Sequence, residues 1–173
     1  VGGLLVLANM EICFIDQDFL IYTMLGVLVF TYFNFRNKAK CFAGDVGSVA
    51  IAFILLFALG LLILSTGNLI YILFLTVYGI DAVWTIIRRL ANKENIFKAH
   101  RSHLYQYLAN EAKVNKLWVS ASYGIIQFVI GLLVLQVKDL PDNTQIMFAV
   151  ALLSILSFIY LFIKTKVKRK YLV

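Results

Sequence analysis

The sequence has little of what a soluble domain of its size normally contains. Of its 173 residues only 14% are charged, 62% are hydrophobic, and the mean hydropathy is +0.88. Soluble domains carry about 25% charged residues, so this composition excludes a water-soluble protein and indicates a membrane protein. Proline occurs only once, as Pro141, and the two cysteines, Cys13 and Cys41, predict no disulfide framework.

Six apolar stretches account for most of the chain, at residues 1–15, 19–33, 46–64, 69–87, 117–137 and 146–163. A helix needs about 20 mostly apolar residues to cross a bilayer, and the last four stretches are long enough, whereas the second is short. They are apolar on every face, unlike the alternating strands of a membrane β-barrel. We therefore predict an all-α, polytopic membrane helical bundle with about six transmembrane helices, as one domain over residues 1–173.

The basic residues fall on one side of this topology. When successive loops are assigned alternately to the two sides, every Lys and Arg except Lys138 belongs to one set, which the positive-inside rule places in the cytoplasm. The predicted cytoplasmic loops are residues 34–45 and 88–116. The net charge of +7 is thus a topological signal first; the basic tail could touch anionic headgroups, and no nucleic-acid partner is expected.

Two connections have a predicted structure. The segment Ser65–Asn68 predicts a tight hairpin between the third and fourth stretches. The longest loop, residues 88–116, carries both histidines, and loops of that length are usually functional or disordered. Apolar residues at near-helical spacing over residues 103–118 predict an amphipathic helix that leads into the fifth span.

Asp45 lies between Gly44 and Gly47, directly before the third apolar stretch. It could be a helix N-cap, with Ser48 adding local hydrogen bonds. A helix N-terminus also attracts anions, glycines let a phosphate approach the backbone, and Mg²⁺ favours one or two carboxylates plus phosphate oxygens. The pattern therefore leaves open a helix cap or a metal and phosphate site.

Asp81 lies near the predicted cytoplasmic end of the fourth stretch. Ionisable groups in membrane segments are costly and usually face the interior of a bundle. We interpret Asp81 as a pairing residue, either with Arg88 or Arg89 two turns later or with a neighbouring helix, in preference to direct chemistry.

The segment His100–His103 places a guanidinium between two imidazoles. Arginine binds a diphosphate through its planar fork, and histidine can donate to a leaving phosphate, so Arg101 and His103 are candidates for ligand binding. The neighbouring lysines are interpreted as a solvated surface. Two histidines three positions apart, with no further His or Cys nearby, do not predict zinc.

Three segments, in this order, resemble the polyprenyl-phosphate N-acetylhexosamine-1-phosphate transferases. They are Asn34–Ser48 with its Phe-x-Gly-Asp-x-Gly-Ser core, Asp81 followed by Arg88 and Arg89, and Phe97 followed by Arg101-x-His103-Leu104. The resemblance covers the middle part of the chain. It implies a multi-pass enzyme of the bacterial cytoplasmic membrane, with its active site facing the cytoplasm. Such an enzyme transfers a sugar-1-phosphate from a UDP-sugar to undecaprenyl phosphate and releases UMP, the first membrane step of cell-envelope polysaccharide synthesis.

The resemblance also implies residue roles. Asp45 would be the ligand of Mg²⁺, for which Mn²⁺ can substitute, and would be catalytic together with His103. Substrate binding would fall to Asn34, Gly44, Gly47, Ser48, His100 and Arg101, while Asp81 matches a structural position. Tyr105 and Gln106 stand where many members have two histidines. The triple-histidine pattern of the phospho-MurNAc-pentapeptide branch is absent, which favours a UDP-N-acetylhexosamine donor over a peptide-bearing one.

The family's early Asp-Asp pair and its Asn-rich Asp-Gly motif are not in this chain, which begins at Val1. The resemblance therefore implies the C-terminal half of a longer enzyme, inactive alone, and leaves a homodimer open. Two other functions remain open as well. One is a membrane transport or channel subunit with Glu11, Asp45 and Asp81 along a path, and the other is a scaffold whose basic tail binds anionic lipid.

Overall fold

The computed structural model describes residues 17–96, 98 and 102–171, and over that range every regular element is helical. The helices are α1 (Gln17–Asn34), α2 (Gly44–Thr66), α3 (Thr76–Ala91), α4 (Leu104–Gln106), α5 (Lys116–Val137) and α6 (Asp142–Tyr171), with a 3₁₀ segment at Leu69–Leu75 and a π-helical turn at Tyr107–Glu111. The prediction of an all-helical fold is confirmed. The first apolar stretch, residues 1–15, lies outside the described residues.

Four helical segments are long and apolar enough to cross a membrane: Gly44–Thr66, Leu69–Ala91, Lys116–Val137 and Asp142–Lys170. They coincide with the last four predicted stretches, and α1 is a shorter apolar helix. Many large apolar side chains on these helices are exposed, among them Val46, Phe53 and Phe158. Such surfaces suit a lipid environment, because apolar side chains that contact lipid hydrocarbon are not exposed to water. The chain is a helical membrane protein.

Helix α3 carries its polar side chains inward. Its buried residues are Thr76, Ile80, Asp81, Thr85 and Arg89. They recur about every four residues, with Ile80 and Asp81 adjacent, which places them on one face of the helix. The other face exposes apolar side chains such as Val83 and Leu90. Because buried polar groups need hydrogen-bond partners, this face requires polar groups on the elements that pack against it.

The chain divides into two compact units. The first contains α1, α2, the 3₁₀ segment as far as residue 74, and residues 128–139, which are the second part of α5 and the two residues after it. Helix α2 ends where Gly67 adopts a left-handed conformation, with φ of 66°, and donates its N–H to the carbonyl of Ile63 at 2.8 Å. The Asn68 amide then donates to the carbonyl of Lys138 at 3.0 Å. The predicted turn at Ser65–Asn68 is confirmed.

The second unit contains α3, α4 with its π-helical turn, the first part of α5, and α6. Buried Ile80, Leu104 and Tyr160 form its core. Four partly buried residues pack against them: Trp84, Leu108, Leu156 and Ile163. Helices α3, α4 and α6 therefore meet in one cluster, and this cluster surrounds the polar face of α3.

The prediction of one continuous helix over residues 103–118 is wrong in its middle. Helical structure ends at Glu111, residues 112–115 are not helical, and α5 starts at Lys116. Lys113 has φ of 55°, a left-handed conformation that costs a non-glycine residue about 1–2 kcal/mol and breaks the helix there. The amphipathic character of the first part is confirmed, because Leu104 is buried and Leu108 packs on the core.

Helix α6 has 30 residues, so it is about 45 Å long and exceeds the ~30 Å thickness of a bilayer's hydrocarbon core. The predicted basic tail is the end of this helix. Lys164 and Val167 are buried in this part of the helix, whereas the sequence pattern assigns Lys164 to an exposed basic tail. The side chains of Lys164 and Lys168 both lie 5.9 Å from the ring of Tyr107, where α6 packs on the π-helical turn.

Candidate functional site

The predicted phosphate-binding segment lies in the first unit, at the N-terminus of α2. Ala43 occupies the N-cap position and no side chain caps the helix. Asp45 stands in the first turn, so the interpretation of Asp45 as the N-cap is wrong. The Ser48 hydroxyl donates to the carbonyls of Gly44 at 2.8 Å and of Asp45 at 3.1 Å, which confirms its local hydrogen bonding.

The Asp45 side chain is exposed, and its carboxylate makes no hydrogen bond or ion pair with any residue that the structure describes. Gly44 precedes it in a left-handed conformation, with φ of 62° and no atom within 4 Å of the place a Cβ would take. Gly47 differs, since a Cβ there would lie 3.3 Å from that of Ala43. Gly44 therefore leaves the first turn open to a ligand, and that turn presents unpaired N–H groups.

Asn34 closes the loop that leads to α2. Its side-chain amide donates to the carbonyl of Cys41 at 2.8 Å, and the Lys40 N–H donates to the carbonyl of Phe33 at 3.0 Å. The guanidinium of Arg36 lies 4.5 Å from the centre of the Tyr32 ring. These bonds give Asn34 a part in shaping the loop, and its role in substrate binding stays a prediction.

Asp45 stands as a single carboxylate. No group of three or more His, Cys, Asp or Glu side chains that could hold a metal occurs among the described residues. A single exposed carboxylate suits Mg²⁺, which keeps several waters and shares its coordination with substrate phosphates, and does not suit a closed zinc site. Asp45 as the Mg²⁺ or Mn²⁺ ligand stays a prediction.

In the second unit, the carboxylate of Asp81 is the centre of a buried polar cluster. The side chain is only 2% exposed. The N–H of Leu104 donates to both carboxylate oxygens, at 3.0 and 3.2 Å, and the Tyr160 hydroxyl donates to Oδ1 at 2.9 Å. The Thr85 hydroxyl lies 3.4 Å from the same oxygen. The prediction that Asp81 pairs with a neighbouring helix is confirmed, because Tyr160 belongs to α6.

A second layer of the cluster comes from Lys164, one turn after Tyr160 in α6. Its ammonium donates to the Thr85 hydroxyl at 3.2 Å and to the Tyr160 hydroxyl. Both hydroxyls are buried and both lie next to Asp81. Lys164 thus brings a positive charge close to a buried carboxylate, and a buried charge is tolerated only where it is compensated in this way.

The Asp81 cluster also holds His103. The imidazole Nδ1 lies 3.4 Å from Oδ1 of Asp81. The backbone N–H of His103 donates to the side-chain oxygen of Gln106 at 3.2 Å. The Tyr105 ring stacks on the imidazole at 5.7 Å between centroids. Burial raises the pKa of Tyr105, and nearby Tyr78 and Asp81 act in the same direction. His100 and Arg101 lie outside the described residues, and their roles stay predictions.

Arg89 holds the chain that follows α3. Its guanidinium donates to the carbonyls of Asn95 and, at 3.1 Å, of Lys98, and its Nε lies 3.3 Å from the Glu94 carboxylate. The alternative that Arg89 pairs with Asp81 is therefore wrong. Arginine suits this place because its planar fork reaches several acceptors at once.

A cavity of about 400 Å³ opens beside α4, the helix that follows His103. Its walls come from α4, the π-helical turn and the first turns of α5: Tyr105, Gln106, Ala109, Asn110, Lys116, Val119, Ser120 and Tyr123. Tyr105 both lines this cavity and stacks on His103, so the imidazole and the cavity share one wall. The wall offers hydroxyl and amide groups and a single charge, that of Lys116.

Sequence reasoning missed three members of the cluster, namely Thr85, Tyr160 and Lys164. Thr85 follows Asp81 by four positions and shares its helical face, a signal that was present in the sequence. Tyr160 and Lys164 are also four apart, but nothing local separates them from the apolar span and the basic tail in which they lie.

No family model, no curated protein and no solved structure matches this chain.

Proposed function

We propose that this chain belongs to a membrane transferase that moves N-acetylhexosamine-1-phosphate from a UDP-sugar to a polyprenyl phosphate, such as undecaprenyl phosphate, and releases UMP. The resemblance of Asn34–Ser48 and of the His103 segment supplies the reaction. Two consecutive membrane crossings return a chain to the side from which it started, which is why the proposal assigns Asp45 and His103 to one side. That side is the cytoplasmic face of a bacterial inner membrane.

The observation that carries this proposal is that the Asp81 carboxylate binds the backbone of Leu104, the residue directly after His103. Asp81 is buried and surrounded by donors from Leu104, Tyr160 and Thr85. A transport path would need this carboxylate to face water or a passing ion. A carboxylate that holds the loop around His103 favours an enzyme in which residues of that loop bind a ligand. The transport alternative placed Glu11, Asp45 and Asp81 along a path, and it loses Asp81.

The chemistry needs little covalent help from the protein. The second pKa of a phosphate monoester is about 6, so the lipid phosphate is largely dianionic near neutral pH and needs no general base. One of its oxygens forms a bond to the β-phosphorus of the UDP-sugar, and the bond from that phosphorus to the bridging oxygen breaks as UMP leaves. Arg101 would bind the diphosphate through its fork, and His103 would donate a hydrogen bond to the departing phosphate.

Mg²⁺ would supply charge neutralisation on the diphosphate when bound. Asp45 would hold it by one carboxylate, and the first turn of α2, with Gly44 and Gly47, would lie against phosphate oxygens. Asn34 and Ser48 would keep the segment in shape through the bonds described above. Catalysis in this scheme is mainly positioning and electrostatic stabilisation.

The test is an exchange assay on the complete protein in membranes. Labelled UMP should enter UDP-N-acetylhexosamine only when polyprenyl phosphate and Mg²⁺ are both present. Exchange that needs neither, or no exchange with any UDP-N-acetylhexosamine, would contradict the proposal. Ion or solute flux in liposomes carrying the same preparation would then support the transport alternative.

A further inference from the structure

Hydrogen-bond donors surround the carboxylate of Asp81. The backbone N–H of Leu104 and the hydroxyl of Tyr160 donate to its two oxygens at 2.9 to 3.2 Å, and the ring nitrogen Nδ1 of His103 lies 3.4 Å from Oδ1. A carboxylate accepts at every position, whereas an amide of the same shape must turn one NH₂ toward these donors. The cluster is therefore built for a charged Asp and not for its neutral isostere.

We infer that Asp81 is a positioning residue for His103: its carboxylate fixes both the direction of the imidazole and the nitrogen that carries its proton. The role of His103 toward a diphosphate rests on the proposed function; the geometry of the pair does not. Nothing in the resemblance assigns this relation, which gives Asp81 only a structural place.

The backbone supports the first half of this inference. Leu104, the residue after His103, donates its N–H to both oxygens of Asp81, so the carboxylate binds the chain one residue from the imidazole. The His103 N–H is bound by Gln106, and Tyr105 stacks on the ring. Three contacts on neighbouring residues leave the imidazole little freedom to turn.

The second half follows from which nitrogen faces the carboxylate. Nδ1 is 3.4 Å from Oδ1 of Asp81, and an anion next to a ring nitrogen favours a proton on that nitrogen. The proton on Nδ1 makes Nε2 the nitrogen whose state changes when the ring takes up or gives a second proton. A histidine held in this way can donate from Nε2 to a phosphate when it is charged.

Tyr160 and Lys164 hold the carboxylate itself. Tyr160 donates to Oδ1 at 2.9 Å, and Lys164 donates to both Tyr160 and Thr85 from the next turn of α6. Arg88 on α3 and Lys168 on α6 act electrostatically on Lys164, and Arg88 also acts on Tyr160. These contacts keep Asp81 in place beside His103.

The experiment is ¹⁵N NMR of the complete protein labelled at histidine, in detergent, with His103→Gln used to assign the signal. The native His103 is expected to show a protonated Nδ1. Asp81→Asn should shift its neutral form to the Nε2-protonated tautomer, which free histidine prefers. An unchanged tautomer in a folded Asp81→Asn protein would overturn the inference.

A second variant covers the case in which Asp81→Asn does not fold. Tyr160→Phe keeps the carboxylate and the Leu104 contact, so the Nδ1 proton should stay while the ring signal broadens. Tyr71→Phe, a substitution at a buried tyrosine of the first unit, is the control and should leave His103 unchanged. Loss of the Nδ1 proton in Tyr160→Phe, or equal broadening in both tyrosine variants, would contradict the inference.

The activity measurement separates this inference from the proposed function. In the UMP exchange assay, Asp81→Asn should lower kcat by about 10- to 100-fold, the range for a carboxylate that orients a working histidine, while KM for the UDP-sugar changes little. The pH profile should also shift. If the NMR result holds and no exchange occurs at all, the positioning role stands and the transferase proposal fails; if exchange occurs and Asp81→Asn retains native kcat and pH profile, the positioning role fails.

Discussion

The hydroxyl of Tyr160 donates a 2.9 Å hydrogen bond to Oδ1 of Asp81, a residue 79 positions earlier in the chain. Both side chains are buried, at 6% and 2% exposure. The bond joins α6 to the polar face of α3, and it meets the Leu104 N–H at the same carboxylate. A single acidic group thus ties two membrane helices and a loop together.

Tyr160→Phe should lower the stability of the protein. It removes a hydrogen bond to a buried charged group, and such bonds contribute about 1.5–3 kcal/mol. Thermal unfolding in detergent, followed by circular dichroism, would measure the change. Tyr71→Phe is the matched control, since it also trims a buried tyrosine but lies in the first unit; an equal loss in both would show that Asp81 gains nothing from Tyr160.

Asp45→Asn should lower metal-dependent UMP exchange by about 100-fold, the size of effect seen when one electrostatic contact to a reacting group is lost. Raising the Mg²⁺ concentration should not restore it fully, because the neutral amide is a poor ligand. Asp142→Asn is the control, because Asp142 is likewise in the first turn of a helix. Exchange that survives in Asp45→Asn, or falls equally in Asp142→Asn, would remove Asp45 from the site.

Gly44→Ala and Gly67→Ala separate a local role from a general cost of strain. Both glycines have φ near +60° and no neighbour within 4 Å of an added Cβ, so each alanine should cost about 1 kcal/mol of stability. Only Gly44 stands beside Asp45. Thermal unfolding should therefore move alike in both variants, while exchange activity falls in Gly44→Ala alone. Equal activity in the two would show that the approach to α2 carries no ligand.

Arg89→Lys should loosen the chain after α3. A lysine cannot reach the carbonyls of Asn95 and Lys98 and the Glu94 carboxylate together, so the segment loses bonds that keep it closed. Limited trypsin digestion should then cut after Lys93 or Lys98 several times faster. Arg88→Lys is the control, because Arg88 is the adjacent arginine and the contacts to Asn95, Lys98 and Glu94 are made by Arg89. Equal digestion rates in the two variants would contradict the prediction.

The membrane helices could be predicted from sequence because their signal is local. Apolar runs of the right length gave the four spanning segments, and Gly67 with Asn68 marked the turn after α2. The break at Lys113 could not be predicted, since the apolar spacing of the loop continues past it. Periodicity records which face of a helix is apolar and does not record where the chain leaves the helix.

The polar cluster shows the same limit. The cost of a carboxylate in a membrane segment predicted that Asp81 needs a partner on another helix, and Tyr160 is that partner. Its identity could not be predicted, because α6 contains no mark that distinguishes Tyr160 from other aromatic residues of an apolar span. Lys164 was equally hidden among the basic residues at the end of the helix, although burial separates it from them.

The distance of 79 positions between Asp81 and Tyr160 has a consequence for biogenesis. Until the ribosome has released α6 into the bilayer, Asp81 lacks the hydroxyl and the neighbouring ammonium that compensate its charge. A nascent chain that terminates before Tyr160 leaves an acidic group poorly satisfied inside the membrane, a situation that is costly there. Truncation of the chain before Tyr160 in α6 is therefore expected to yield a product that membrane proteases degrade.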